Sequence, residues 1–258
     1  KKEDFDALKS DKHTKIEYLK SQFRVKGGND YVQYISGLLN CSLGSSSPVF
    51  NAKDYEFVLF DSMEDMVRVI KQRELENGLS RLVAGYSWEW VSNKNPNAFD
   101  IQIDNIEMKW NSKTTDWVNS DNAINEVGCI HTTQGYDLNY AGIIFGNEIS
   151  YDKDKDEIVI IKENYFDKNG KHSIKDLAEL KSFILNIYKT LMLRAIKGTY
   201  LYVCDNDLRA YFARHIFSYR NNKKISYLSK ANVVPFENAV PVYDLKAAAG
   251  GFSELQLV

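Results

Sequence analysis

The sequence predicts an α/β protein in which a mainly parallel sheet is sandwiched between helices. Five short apolar runs are typical of buried strands: 55–60, 81–84, 127–130, 141–145 and 199–204. Apolar residues recur at helical spacing in four other stretches: 30–39, 62–76, 173–193 and 205–217. Because strand and helix patterns alternate along most of the chain, we expect parallel strands joined by helical crossovers.

Polar residues stand where these helices would begin. The second helix is expected to begin at Ser62 with an acidic first turn, and Asp205 or Asn206 is expected to cap the last helix. Asn29 or Asp30 is expected to cap the first. Two hairpins are predicted besides, one within residues 101–110 and one that pairs 157–161 with 163–166.

The composition excludes several classes of protein. The 258 residues carry a net charge of −2, so a basic nucleic-acid surface would have to be local. No apolar run approaches the ~20 residues of a membrane-spanning helix, and the charged start shows no signal peptide; we expect no membrane partner and a cytoplasmic location. Cys41, Cys129 and Cys204 have no C-x-x-C spacing and are expected to be reduced rather than zinc ligands or disulfides.

The chain is expected to form one lobe over residues 1–219, followed by a tail at 220–258 that leads to a missing C-terminal domain. Within the lobe, residues 86–125 look like an irregular insertion that holds all four tryptophans: Trp88, Trp90, Trp110 and Trp117. Such side chains stack on bases in some proteins and close a core or a lid in others, and the sequence favours the second role.

The segment that organises the chain is 126–146, EVGCIHTTQGYDLNYAGIIFG. Its polar centre, His131–Gly135, separates two apolar runs and offers imidazole, hydroxyl and amide groups suited to phosphate. A simpler interpretation is a tight polar turn in which Gly135 supplies the positive φ.

Residues 130–146, IHTTQGYDLNYAGIIFG, closely resemble motif V of superfamily 1 helicases. In the same order as in that family, YLKSQFRVKG at 18–27 resembles motif IV and YKTLMLRAIKGTYLY at 188–202 resembles motif VI. The resemblance spans roughly residues 14–215 and is strongest to a bacterial group of predicted DNA/RNA helicases, DUF2075. It implies a RecA-like fold of the P-loop NTPase type and identifies the chain as the second, C-terminal lobe of a motor.

The resemblance also implies roles for individual residues. Arg24 of motif IV and Arg194 of motif VI would be catalytic cations facing the γ-phosphate. The residues implied to bind nucleotide are Gln22, Gln134, Gly135 and Asp137. Those implied to contact the nucleic-acid backbone are His131, Thr132 and Thr133.

Both arginines also have simpler interpretations. Arg24 could be a surface cation near Lys26, and Arg194 could stabilise the C-terminal end of a helix. Leu193 and Ala195 stand where the family usually has threonine and glycine. This difference puts in question the local geometry around Arg194, the arginine that would face the γ-phosphate.

The phosphate loop G-x-x-x-x-G-K-S/T does not occur in the chain; Gly170-Lys171-His172-Ser173 is a near miss, because Tyr165 stands where the first glycine belongs. ATP and Mg²⁺ are therefore expected only in the full-length protein, with Mg²⁺ held by an N-terminal RecA-like lobe. The chain alone is not expected to be active. The whole protein would couple ATP hydrolysis to movement on DNA or RNA, which we expect to be single-stranded; the alternative is a degenerate module that binds nucleic acid or protein without hydrolysis.

One apparent metal motif has a simpler explanation. Asp152, Asp154, Asp156 and Glu163 have the spacing of a calcium loop, but Glu157 stands where such a loop needs glycine. We predict a solvated, charged hairpin there and no metal site.

Overall fold

The computed structural model describes residues 7–15, 23–44, 46–167, 171 and 174–219. Its helices are α1 (Gly28–Leu39), α2 (Met63–Asn77), α3 (Leu177–Met192) and α4 (Asn206–Phe212). Its strands are β1 (Glu56–Phe60), β2 (Ser80–Ala84), β3 (Ile101–Ile103), β4 (Ile106–Trp110), β5 (Glu126–Gly128), β6 (Leu138–Phe145), β7 (Ile149–Asp152), β8 (Glu157–Ile160), β9 (Ala195–Val203) and β10 (Phe217–Ser218). Residues 16–22, which include Gln22, and the predicted tail at 220–258 lie outside the described residues.

Eight of the ten described strands form one sheet in the order β10–β1–β9–β6–β2–β5–β4–β3. All neighbours are parallel except β3, which pairs antiparallel with β4. The predicted α/β class with a mainly parallel sheet is confirmed, and the architecture is consistent with a RecA-like fold.

The two faces of the sheet carry separate cores, because successive side chains of a strand point to opposite faces. Val83 and Ile143 pack on the face covered by α1, α3 and α4. Leu82 and Ile144 pack on the face covered by α2. Each central strand is therefore buried on both faces, as the continuous apolar runs of the sequence indicate.

Two of the three predicted helix starts agree with the structure, and one differs. Ser62 accepts a hydrogen bond from Asp65 N (3.2 Å), and Asp205 accepts one from Leu208 N (2.7 Å). The prediction of a cap at Asn29 or Asp30 is wrong: α1 begins earlier, after Gly27, which has no side chain to cap it.

Of the predicted hairpins, one forms and the other does not. Residues 101–110 do fold into a hairpin, and its strand β4 extends the main sheet, so part of the stretch 86–125 belongs to that sheet. The pairing of 157–161 with 163–166 is wrong. Strand β8 pairs instead with β7, and Lys162–Asn164 forms a short 3₁₀ helix. The charged turn predicted around Asp154 joins β7 to β8.

Within the described residues, no helix is both long and apolar enough to cross a membrane.

Candidate functional site

The parallel sheet has two edges that differ in composition. Strands β6 and β9 begin at Leu138 and Ala195, so Asp137 and Arg194 lie side by side at the amino-terminal edge. Strands β2, β4 and β5 end at the opposite, carboxyl-terminal edge. Residues 129–137 run from the second edge to the first.

Backbone hydrogen bonds assemble the amino-terminal edge. Leu138 N donates to the carbonyl oxygen of Arg194 (3.1 Å), and Lys26 N donates to that of Ile196 (2.9 Å). The second bond brings the segment before α1 to the start of β9. Arg24 on this segment forms a salt bridge with Asp137, both side chains being about half exposed.

Of the two arginines, Arg194 has the less complete set of hydrogen-bond and charge partners. Its Nε is buried and has no hydrogen-bond partner among the described residues. Burial lowers the pKa of the guanidinium, and the nearby charge of Arg24 lowers it further, while Asp137 opposes the shift. A buried N–H without an acceptor beside a second cation suits a multiply charged anion such as phosphate.

Phe23, beside Arg24, is 92% exposed and is not among the site residues that the sequence predicts. An apolar ring left in water at the charged edge contributes nothing to the core. Its one sequence signal is its place between Gln22 and Arg24 in the motif IV segment.

The polar segment after β5 is a tight turn, as the simpler interpretation of the sequence has it. Thr132 Oγ1 accepts a hydrogen bond from Cys129 N (2.9 Å), and Thr133 Oγ1 donates to the carbonyl oxygen of Cys129 (3.1 Å). Thr133 is fully buried. Gly135 has a φ of 86°, the positive value expected of it. The two threonine hydroxyls therefore stabilise the turn.

At the carboxyl-terminal edge lies a groove of about 1030 Å³, which we call the aromatic groove. Its aromatic lining consists of Tyr86, Trp88, Trp90, Trp110, Tyr165 and Phe166. Tyr86 is central, because its ring centroid lies 6.3 Å from Trp110, 6.3 Å from His131 and 6.4 Å from Tyr165.

Asp100, which is 8% exposed, ties the walls of the aromatic groove together. Its carboxylate accepts hydrogen bonds from Ser92 N (2.7 Å), Ser92 Oγ (2.6 Å) and Trp110 N (2.8 Å). Ser92 Oγ in turn accepts a hydrogen bond from Trp90 Nε1 (3.1 Å). A buried carboxylate thus fixes the indole of Trp90 through one intermediate side chain.

A second buried acid, Glu148, follows β6 at the same edge. Tyr188 OH donates to its Oε1 (2.5 Å), whereas Oε2 has no hydrogen-bond partner among the described residues. Burial raises the pKa of this carboxyl above its usual range. Burial of Glu148 therefore disfavours its charged form in the folded protein.

Among the described residues, no three histidine, cysteine, aspartate or glutamate side chains come together in a way that could hold a metal ion.

Comparison with known proteins identifies the family. The sequence model of the Schlafen group 3 DNA/RNA helicase domain matches residues 2–205. The chain belongs to this family. The uncharacterized protein YPL245W of Saccharomyces cerevisiae (strain ATCC 204508 / S288c) is 29% identical over 212 residues, which cover 74% of this chain. The match spans 46% of that relative, about half its length. No solved structure matches the chain.

In this Schlafen-type helicase domain, the fold brings together three of the predicted site residues, Arg24, Asp137 and Arg194. Gln134 and Gly135 are exposed on the same crossover. The other members of the predicted set lie as follows: His131 is exposed in the aromatic groove, Thr132 forms part of its wall, Thr133 is buried beneath, and Gln22 is not described.

Proposed function

We propose that the chain is the C-terminal motor lobe of an ATP-dependent helicase or translocase that acts on DNA or RNA. The family supports a nucleic-acid helicase-like function in general. The observation that carries the finer proposal is the meeting of Arg24, Asp137 and Arg194 at one edge of the sheet. In this proposal these residues, which are far apart in the sequence, would together bind an anion.

In this proposal, Arg194 acts as the arginine finger. Its guanidinium would donate hydrogen bonds to the terminal phosphate, whose oxygens gain charge in the transition state of phosphoryl transfer. Half-burial of Arg194 strengthens that interaction, because water screens it less. Arg24 would contribute a second cation, and the exposed ring of Phe23 offers a surface for the nucleobase.

ATP and Mg²⁺ would bind between this lobe and an N-terminal RecA-like lobe that carries the phosphate loop. Bound Mg²⁺ would neutralise charge on the β- and γ-phosphates, and the other lobe would hold it. Gln134, Gly135 and Asp137 would face the nucleotide, as would Gln22. On the opposite edge, His131 and the turn that Thr132 and Thr133 stabilise would contact the nucleic-acid backbone.

The three cysteines, all within the described residues, are unpaired. Free thiols are typical of a reducing compartment, and we place the protein in the cytoplasm within the same proposal.

The test is the rate of ATP hydrolysis by a protein that contains both lobes, with and without single-stranded DNA or RNA. Arg194→Ala is expected to lower turnover by roughly 10³-fold, the typical cost of losing an arginine finger. The matched control is Arg214→Ala, an exposed arginine after α4 that should leave turnover unchanged.

Normal turnover in Arg194→Ala would remove this residue from the mechanism. No turnover in the wild-type protein would favour the alternative, a degenerate module that binds nucleic acid or protein without hydrolysis. The Nε of Arg194 is buried without a hydrogen-bond partner among the described residues, which favours the motor, because a module without nucleotide has no need of such a donor.

A further inference from the structure

We propose that the aromatic groove binds unpaired nucleic-acid bases by stacking. This inference rests on the proposed nucleic-acid function and adds a base-directed site to the backbone contacts expected of His131. The rings concerned lie outside the three helicase-like motifs: they belong to residues 86–110 and 165–166.

Two rings of the aromatic groove are available to a ligand. Trp90 is 39% exposed and Phe166 is 43% exposed. Neither belongs to a core cluster. Aromatic rings that face water in a concave site at a sheet edge offer planar surfaces for other planar groups.

These rings are also held in place. Trp90 Nε1 is hydrogen-bonded to Ser92 Oγ, which Asp100 holds (2.6 Å). Phe166 N donates to the carbonyl oxygen of Tyr86 (2.7 Å), which fixes the backbone of the opposite wall, and Lys171 Nζ lies 5.6 Å from the centroid of the Phe166 ring. A ring that is already oriented loses little conformational entropy when a base stacks on it, so its affinity is high for the area buried.

The charges of the aromatic groove point to bases rather than phosphates. Its lining contains two acidic residues, Glu89 and Asp167, and two basic ones, Lys94 and Lys171. The formal charge of the lining therefore cancels, apart from His131. A channel for phosphates needs a clear excess of cations, whereas stacked bases are neutral.

The geometry favours unpaired strands. In a duplex, both faces of each base are covered by neighbouring bases and only the edges are open in the grooves. Stacking on Trp90 or Phe166 requires a free face. Asn93 and Thr114, both exposed in the lining, offer amide and hydroxyl groups to the edges of bases that enter.

The experiment compares two fluorescent oligonucleotides of equal length with the full chain. One is oligo-deoxythymidine, and the other carries abasic sites at every internal position, so both have the same phosphates. Fluorescence anisotropy gives each Kd. We expect the base-bearing strand to bind at least tenfold more tightly, since stacking of one base typically contributes roughly that factor.

Trp90→Ala and Phe166→Ala should each reduce this preference severalfold, and Trp90→Phe should retain most of it. Phe183→Ala is the matched control, because Phe183 is similarly exposed (40%) on α3, away from the aromatic groove. This control should leave the preference unchanged.

Equal binding of the two strands by the wild-type chain would overturn the base-stacking inference and leave the proposed function intact. A preference that survives both alanine substitutions would also overturn it. Binding of neither strand would overturn the inference together with the nucleic-acid part of the proposed function.

The salt dependence of binding further separates the contributions of phosphate contacts and of base stacking to the affinity. The affinity for both strands should fall as salt rises, because phosphate contacts release counterions. The ratio of the two affinities should change little, because stacking of neutral bases involves no counterion. A ratio that disappears at higher salt would contradict the proposal.

Discussion

At the amino-terminal edge of the sheet, Arg24 and Asp137 pair in the solvent while Arg194 keeps a buried donor without a partner among the described residues. At the carboxyl-terminal edge, Asp100 is buried behind the wall of the aromatic groove, and Glu148 is buried against Tyr188. The amino-terminal edge is charged, and not all of its hydrogen-bond donors have partners among the described residues. The carboxyl-terminal edge is close to neutral and is continuous with the core.

This difference separates two ways of building a binding surface. Groups at the amino-terminal edge are available to a charged ligand because they contribute little to the stability of the fold. Rings at the carboxyl-terminal edge are presented by the same hydrogen bonds that hold β4 and the loop at 88–92. Substitutions should therefore change stability at the carboxyl-terminal edge and ligand affinity alone at the other.

The largest effect on stability is expected for Asp100→Ala. The substitution removes the acceptor of Ser92 N and Trp110 N, and buried donors without a partner typically cost about 1–3 kcal/mol each. We expect the free energy of unfolding to fall by about 3 kcal/mol in urea denaturation. The preference for base-bearing oligonucleotides should fall with it.

Asp121→Ala is the control for this prediction, because Asp121 is exposed. Its free energy of unfolding should stay within about 0.5 kcal/mol of wild type. If Asp100→Ala were no more destabilising than Asp121→Ala, the carboxyl-terminal edge would not be tied to the core as described.

A smaller, pH-dependent effect is expected for Glu148→Gln. The pKa of Glu148 is raised in the folded protein above the value of 4.5 for a free carboxyl. Between these two pKa values the folded state binds more protons than the unfolded state, so wild-type stability falls as pH rises, by up to about 1.4 kcal/mol per pH unit. The amide of the variant does not titrate, so the stability of Glu148→Gln relative to wild type should increase as the pH rises from about 4.5 towards the raised pKa of the folded state.

Urea denaturation across this pH range measures the trend, with Glu157→Gln as the control at a half-exposed carboxyl. A constant difference between Glu148→Gln and wild type at all pH values would mean that burial does not raise the pKa of Glu148.

The smallest effect on stability is expected for Asp137→Asn. The ion pair with Arg24 is about half exposed, and such pairs contribute within ~0.5 kcal/mol. Loss of the carboxylate leaves two arginines without their counter-charge. Pyrophosphate should then bind the chain about fivefold more tightly, the effect of one unit charge at ~4 Å in water.

Isothermal titration calorimetry with pyrophosphate is the measurement, and Asp154→Asn, in the exposed turn between β7 and β8, is the control. Weaker binding of pyrophosphate by Asp137→Asn would show that Asp137 is a positive contributor to the site. The amino-terminal edge would then not be an unfilled anion site, and the contrast between the edges would fail.

The fold could be predicted from local patterns because each central strand is an uninterrupted apolar run buried on both faces. Residues 141–145 show this directly: all of them are buried in β6. The prediction of a cap at Asn29 or Asp30 failed because tertiary contacts decide where α1 begins: a Cβ at Gly27 would approach Cδ1 of Tyr55 to 3.2 Å. The hairpin around 163–166 failed because Phe166 N is used by Tyr86, a partner far away in the sequence.

The two edges differ in how far the sequence could anticipate them. Arg24 and Arg194 stand out in contiguous motifs, and the fold brings both beside Asp137. The aromatic groove is built from four separate segments, around residues 86–94, 110–114, 129–132 and 165–171. No single window of sequence contains it. Its composition signal, four tryptophans within residues 88–117, could not tell which rings are buried, as Trp117 is, and which face solvent.

The crossover at residues 129–137 is made of consecutive hydrogen-bonded turns. Thr133 N donates to the carbonyl oxygen of Cys129, Gln134 N to that of His131 and Tyr136 N to that of Thr133, each over 3.2 Å. Gly128 lies level with Val83 and hence with Ile143, so these turns carry the chain back about five residues along β6 and sideways past β2, roughly 20 Å in all. A ligand that displaces His131 in the aromatic groove therefore acts on the same series of turns that leads to Asp137 at the other edge.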